Sequence, residues 1–154
     1  MSHVLCFDVA GEAHTIPADQ LKFKPAVFGL FVEHDQILLQ PNPITNLLHP
    51  PGQLLTNTQH PSQAIQYEFR EVIGIMPDVG PLLFIEDQYR MDEAGTAWKL
   101  SVLYYMIERP KLELSFGTLE IAPTVQWHPL DTLTRDQMQF GYEAIEAAKL
   151  SLKL

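Results

Sequence analysis

A lone cysteine, Cys6, is the only thiol in 154 residues. It excludes an intrachain disulfide and points to a reducing compartment. Basic side chains are scarce as well: 10 Lys and Arg stand against 19 Asp and Glu, a formal net charge of −9. Nucleic-acid polymers are bound through basic groups that neutralise phosphates, so such partners are not expected. A small phosphorylated ligand stays compatible with the acidic balance, because a divalent cation can bridge two negative partners. Long hydrophobic runs are missing too. The longest, Ala26–Val32 and Val102–Ile107, fall far short of the roughly 20 residues that a membrane helix needs. The opening Met-Ser-His-Val-Leu-Cys-Phe-Asp carries neither the basic segment nor the apolar stretch of a secretory signal. There is no Gly-x-Gly-x-x-Gly, no internal repeat and no low-complexity tract. The expectation from these absences is a cytoplasmic protein with no membrane partner.

What is present suffices for a core. Hydrophobic residues make up 46% and charged residues 19%, ordinary values for a globular chain. The length suits one domain spanning 1–154, with an N-terminal hairpin over about 1–16 and a core over about 25–154. Residues 3–9 and 13–16 read as the two arms of that hairpin around Gly11-Glu12. The run 26–32 is almost wholly apolar, as a strand buried on both faces is, and 37–40 returns beside it. Five Pro and Gly residues make 41–53 a loop. Strands are expected at 82–91, 97–108 and 124–128, with a short edge strand at 111–114 and a loop at 117–123. A helix is expected from about 135 to the end on the spacing of Met138, Ala144, Ile145, Ala148 and Leu152. Strands and helices in this segregated order predict an α+β fold with a mixed β-sheet and helices on its faces.

Residues 50–75 hold the densest information. Pro61 suits a first helical position and Gly74 the left-handed residue just past a helix end. Between them Ala64, Ile65, Phe69, Val72 and Ile73 form an apolar stripe, and Glu68 and Glu71 share its edge. Carboxylates so placed serve either as metal ligands or as ordinary solvated helix residues.

This stretch resembles the box of the Nudix hydrolase family: Gly, five free positions, Glu, seven free positions, then Arg-Glu-hydrophobic-any-Glu-Glu-any-Gly-hydrophobic. With Gly74-Ile75 as the closing pair, Glu71 matches the first paired glutamate, Phe69 the hydrophobic position and Glu68 the glutamate after the arginine. Pro51-Gly52 is similar to the proline-glycine that commonly precedes the box. Four positions depart: Gln53 stands for the signature glycine, Gln59 for the isolated glutamate, Tyr67 for the arginine and Val72 for the second paired glutamate. The hairpin before the box, the long hairpin after it, the strand carrying Trp127 and the closing helix extend the resemblance over most of the chain.

The resemblance implies a Nudix-like α/β/α sandwich. It also implies hydrolysis of a nucleoside-diphosphate-linked, nucleotide-like substrate with Mg²⁺ or Mn²⁺. Carried over residue by residue, Glu68 and Glu71 are the catalytic and metal-binding candidates, and Glu120 is a replacement ligand from the loop before the Trp127 strand. Glu86 and Glu113 are more distant alternatives. Val72 removes one ligand and extends the apolar stripe, which implies a weakened activity. The alternative is an inactive protein of this fold that binds a nucleotide-like ligand or a protein partner. The six histidines (3, 14, 34, 49, 60 and 128) show no metal-ligand spacing; His49 and His60 flank the box loop and read as solvent-exposed residues, with a base or phosphate contact as the alternative. Tyr89, Trp98 and Tyr104 are candidates for stacking a base or for the core. The free edge of the N-terminal hairpin admits a homodimer.

Overall fold

The computed structural model describes residues 2–56, 58–111 and 119–153. Strands β1 (His3–Phe7) and β2 (Ala13–Pro17) form the expected hairpin. Its turn is tied by the Asp8 carboxylate, which accepts from the Ala10 and Glu12 amides. A 3-10 turn at Ala18–Gln20 leads into β3 (Lys22–Glu33), which is longer than its apolar run alone announces. Pro25 does not stop β3, and its carbonyl still accepts from the Leu55 amide at 2.8 Å.

Strand β4 (Gln36–Pro41) follows a turn in which His34 and Asp35 take positive φ. The Pro-rich segment expected to be loop throughout contains two short strands, β5 (Leu48–His49) and β6 (Gly52–Leu54). Both exist through tertiary pairing: β5 joins β4, and β6 joins β3 at Ala26–Phe28.

Helix α1 spans Pro61–Ile73, as the proline and glycine signals require. Gly74 takes φ 81° and its amide returns to the Arg70 carbonyl, a closure that a residue with a side chain adopts only at a cost.

Strand β7 (Asp78–Met91) starts four residues earlier than expected and accommodates Gly80-Pro81 through register shifts against β8 (Ala97–Glu108). A proline cannot donate to the ladder, so a bulge is where it is tolerated. Strand β9 (Gln126–Pro129) carries Trp127. The C-terminal helical region is broken into a 3-10 turn at Arg135–Gln137 and α2 (Tyr142–Leu152), with Gly141 at φ 93° between them. Met138 therefore lies outside the helix. The expected edge strand at 111–114 and the candidate Glu113 fall on residues 112–118, outside the described residues.

The strands lie in the order β2-β1-β7-β8-β3-β4-β5, with β6 also on β3 and β9 also on β4. The pairings β3–β8 and β1–β7 are parallel and the rest antiparallel, so the sheet is mixed. One core cluster joins Phe28, Leu30, Val102 and Tyr104 to Ala144, Ile145 and Ala148 of α2. The other joins Val27, Phe31 and Ile107 to Ile65, Phe69 and Ile73 of α1. Alternate residues of β3 feed opposite layers, which is why its sequence is apolar without alternation. The result is the expected α+β layering. The outer edge of β2 has no strand neighbour among the described residues, and it is this edge on which the homodimer expectation rests.

Candidate functional site

The loop–helix at 50–75 is held by neutral side chains where the resembled box uses an ion pair. Gln53 donates from Nε2 to the Ala64 carbonyl at 3.2 Å, tying the loop to the first turn of α1. Gln59 closes the loop on itself by accepting from the Thr56 amide at 2.9 Å. Gln66 donates to the Pro77 carbonyl at 2.8 Å and so anchors α1 to the entry of β7. Tyr67, in place of the arginine, is exposed, with the Arg70 guanidinium 5.4 Å from its ring centre. No charged partner is needed for this brace, so losing both members of the ion pair strands no buried charge.

The three carboxylate candidates sit at the exit end of α1. Glu68 is half-buried and has no hydrogen-bond or ion-pair partner among the described residues. Burial, and then the neighbouring Glu71 charge, push its carboxyl above the ordinary glutamate value. Glu71 is 75% exposed and meets only Arg70, at 3.4 Å. Glu120 is held by its backbone: its amide donates to the Ile73 carbonyl at 2.9 Å, and a Cβ at position 74 would lie 2.8 Å from its own Cβ. The 119–122 segment thus packs on the helix end and brings Glu120 beside α1. Val72 is 6% exposed and packed among Ile65, Phe69 and Ile73, so the missing ligand position belongs to the core.

Oxygen donors of this kind suit Mg²⁺ or Mn²⁺, which retain several waters and need few protein carboxylates. The three side chains do not close into a cluster with all ligand atoms within 4.8 Å. Among the described residues only Asp8, Glu12 and His14, on the exposed β1–β2 turn, do so. His14 Nε2 lies 2.7 Å from Asp8 Oδ2, a proximity that residue spacing did not disclose.

The larger concavity lies on the α2 side of the sheet, in two adjoining chambers of about 480 Å³ and about 340 Å³ that share Gln88 and Arg90. Leu54, at the end of β6, borders the smaller chamber and connects it to the box loop. Glu86, Gln88 and Arg90 project from one face of β7, since alternate strand residues do. Tyr104 of β8 donates to Glu86 Oε1 at 2.5 Å, and Gln88 Nε2 donates to the same oxygen at 2.9 Å. Arg90 Nε donates to Gln88 Oε1 at 2.7 Å. Burial, reinforced by Glu86, pushes the Tyr104 hydroxyl pKa well up, so it stays a neutral donor.

His49, expected to be solvent-exposed or to contact a base or phosphate, is half-buried. It stacks on Phe140 with ring centres 5.0 Å apart and planes at 12°, and its Nδ1 lies 2.8 Å from the Pro50 carbonyl oxygen. Burial is the main cause that holds it below the ordinary imidazole value. Trp98 is half-buried in the smaller chamber, its Nε1 donating to Asp92 Oδ2 at 3.0 Å and Lys24 Nζ 4.9 Å from its ring centre. Tyr104 belongs to the core rather than to a stacking platform. Arg90 and Phe140 are absent from the sequence-derived candidates. The i, i+2, i+4 spacing of Glu86, Gln88 and Arg90 is the signal that marks a polar row, but Phe140 reaches it only through the α2 connection.

This architecture is the fold of the Nudix hydrolases. No protein-family model and no curated protein matches the sequence. Solved structures do. A MutT Nudix hydrolase from Burkholderia pseudomallei matches at TM-score 0.59 and 21% identity, over 82% of this chain and 98% of that one. The E. coli ORF135 protein matches at TM-score 0.54 and 18% identity, over 90% and 94%. An ADP-ribose pyrophosphatase from Streptococcus suis matches at TM-score 0.51 and 16% identity, over 84% and 90%.

Proposed function

We propose that this protein is a slow Nudix-type phosphohydrolase for a small nucleotide-like diphosphate, working with Mg²⁺ or Mn²⁺. The carrying observation is Glu68: a half-buried carboxylate without a cationic partner among the described residues, its pKa raised in part by Glu71 one turn on. A cation held between Glu68 and Glu71 would offset that charge. Glu68 and Glu71 would hold the metal, with Glu120 contributing from the segment packed on the helix end. A bound divalent metal neutralises charge that builds on phosphoryl oxygens and orients the attacking water. The chain's own contribution is to fix the two carboxylates on a rigid helix and to seat the ligand in the chambers beside Leu54. Neighbours of the same fold include an ADP-ribose pyrophosphatase and a UDP-X diphosphatase, which supports nucleoside-diphosphate-linked compounds as the substrate class. Loss of a third carboxylate that slows turnover a thousandfold corresponds to a barrier higher by about 4 kcal/mol.

A second reading, ligand binding without hydrolysis, is favoured by Val72, whose side chain is committed to the α1 core. A panel of diphosphate substrates assayed with Mg²⁺ and Mn²⁺ separates the two. Metal-dependent turnover that Glu68→Gln and Glu71→Gln each lower by tenfold or more supports the hydrolase. Turnover untouched by both variants removes the metal assignment. No turnover, together with thermal stabilisation by the same compounds, favours the binding reading.

A further inference from the structure

The polar row beneath the two chambers is wired in one direction. The Gln88 amide is fixed at both ends, donating from Nε2 to Glu86 and, at 3.3 Å, to Tyr104, and accepting from Arg90 at Oε1. An amide so satisfied cannot flip, and it pins Arg90 through Nε. The guanidinium carbon lies 4.3 Å from the ring centre of Phe140, which is itself backed by His49. Arg90 is therefore oriented before any ligand arrives.

Its two terminal nitrogens are another matter. The described residues offer them no hydrogen-bond acceptor and no ion pair, although they face chambers large enough for a nucleotide fragment. Burial removes part of the hydration of this cation and holds its pKa below the ordinary arginine value. Lys24 lines the same smaller chamber. In a chain with 10 basic residues against 19 acidic ones, the smaller chamber is an exception, with Lys24 and Arg90 against the single carboxylate of Asp92. A planar fork with both terminal N–H groups open matches the two oxygens of an oxyanion, and holding it in advance reduces the ordering cost of binding.

We propose that Arg90 is the anion-recognition residue of this cleft, its terminal nitrogens receiving a phosphate or carboxylate group of the ligand at a subsite separate from the α1 carboxylates. The proposal rests on the reading that a nucleotide-like ligand enters the chambers, but it does not require hydrolysis. Phe140 and Gln88 act as positioning residues, since they touch Arg90 and hold its fork toward the chambers.

Calorimetric titration in EDTA tests this with ligand pairs that differ by one anionic group: adenosine with AMP for phosphate, and uridine with uridine-5′-carboxylate for carboxylate. The anionic member of at least one pair is expected to bind about tenfold or more tightly than its neutral counterpart, and the pair that shows the gap identifies the group. Arg90→Gln should erase that gap while leaving the neutral member's affinity in place. Arg90→Lys should restore part of it, because it returns the charge without the fork. Gln88→Leu should give an intermediate gap. Equal loss for both members of a pair, an unchanged gap in Arg90→Gln, or no binding by any of the four compounds overturns the proposal. A retained gap in a protein without turnover leaves it standing and rejects the hydrolase reading alone.

Discussion

Glu68 carries an unfavourable charge in a protein already rich in acids. Its carboxyl is pushed above the ordinary glutamate value of 4.5, first by burial and then by Glu71. The folded state therefore binds this proton more readily than the unfolded state. Stability conferred by the protonated form is lost as pH rises from 4.5 through the folded value. Glu68→Gln keeps the shape and removes the charge. In EDTA at pH 7 it should melt at a higher temperature than the natural chain, and the advantage should fade as pH falls through the folded value toward 4.5. Mn²⁺ should narrow the gap from the other side, by stabilising only the chain that retains the carboxylate. An advantage independent of pH would mean that charge is not its source.

At the scale of elements, helix α1 and strand β3 are joined at a glycine. A Cβ at Gly29 would lie 2.7 Å from Ile107 Cγ1 and would overlap the Phe69 ring. Phe69 and Ile107 are both fully packed in the α1 core cluster, so neither has room to yield. Gly29→Ala should therefore destabilise the protein by about 1–3 kcal/mol, measured by urea unfolding with an unchanged m-value. The strand containing Gly29 pairs with β6 over Ala26–Phe28, immediately before it, and β6 delivers the box loop. Pushing α1 off β3 should also weaken any ligand that uses Leu54, which a titration of the same variant would register.

Over the whole molecule, the two sheet faces differ in chemistry. The α1 side offers carboxylates at a helix end, and the α2 side offers a cleft whose smaller chamber joins Lys24 and Arg90 to Phe28 and Trp98. His49 lies behind the latter, its ring stacked on Phe140. Burial first, and the Arg90 charge after its hydrogen bond, keep its pKa below 6.5. The unfolded chain then takes up a proton that the folded chain refuses, so stability falls as pH drops from 6.5 toward the folded value. This slope is opposite in sign to that of Glu68, which runs upward from pH 4.5, whereas the His49 window runs downward from 6.5. Comparing single variants separates them: His49→Phe should flatten the acid-side loss of stability in that window, followed by chemical denaturation at several pH values. A profile unchanged by the substitution would place the titration elsewhere.

The limits of α1 were legible because Pro61 and Gly74 act through local backbone geometry, and β8 was legible because its β-branched and aromatic run continues without a break. The neutral wiring of the box loop was half legible. Gln53 and Gln59 stand visibly where glycine and glutamate are usual, but only the fold shows that their amides hold the Ala64 carbonyl and the Thr56 amide. Strands β5 and β6 were not legible, since five Pro and Gly residues spell loop until β4 and β3 supply partners. The cleft depended most on tertiary structure: Arg90, Phe140 and His49 are distant in sequence and weak as motifs, and they form a site only because α2 folds back over β7. Local signals thus determined the box helix, its two surviving glutamates and the conversion of position 72 to core. Long-range packing decided where a ligand has room and which cation lines that space, because neither a cavity nor its lining has a sequence period.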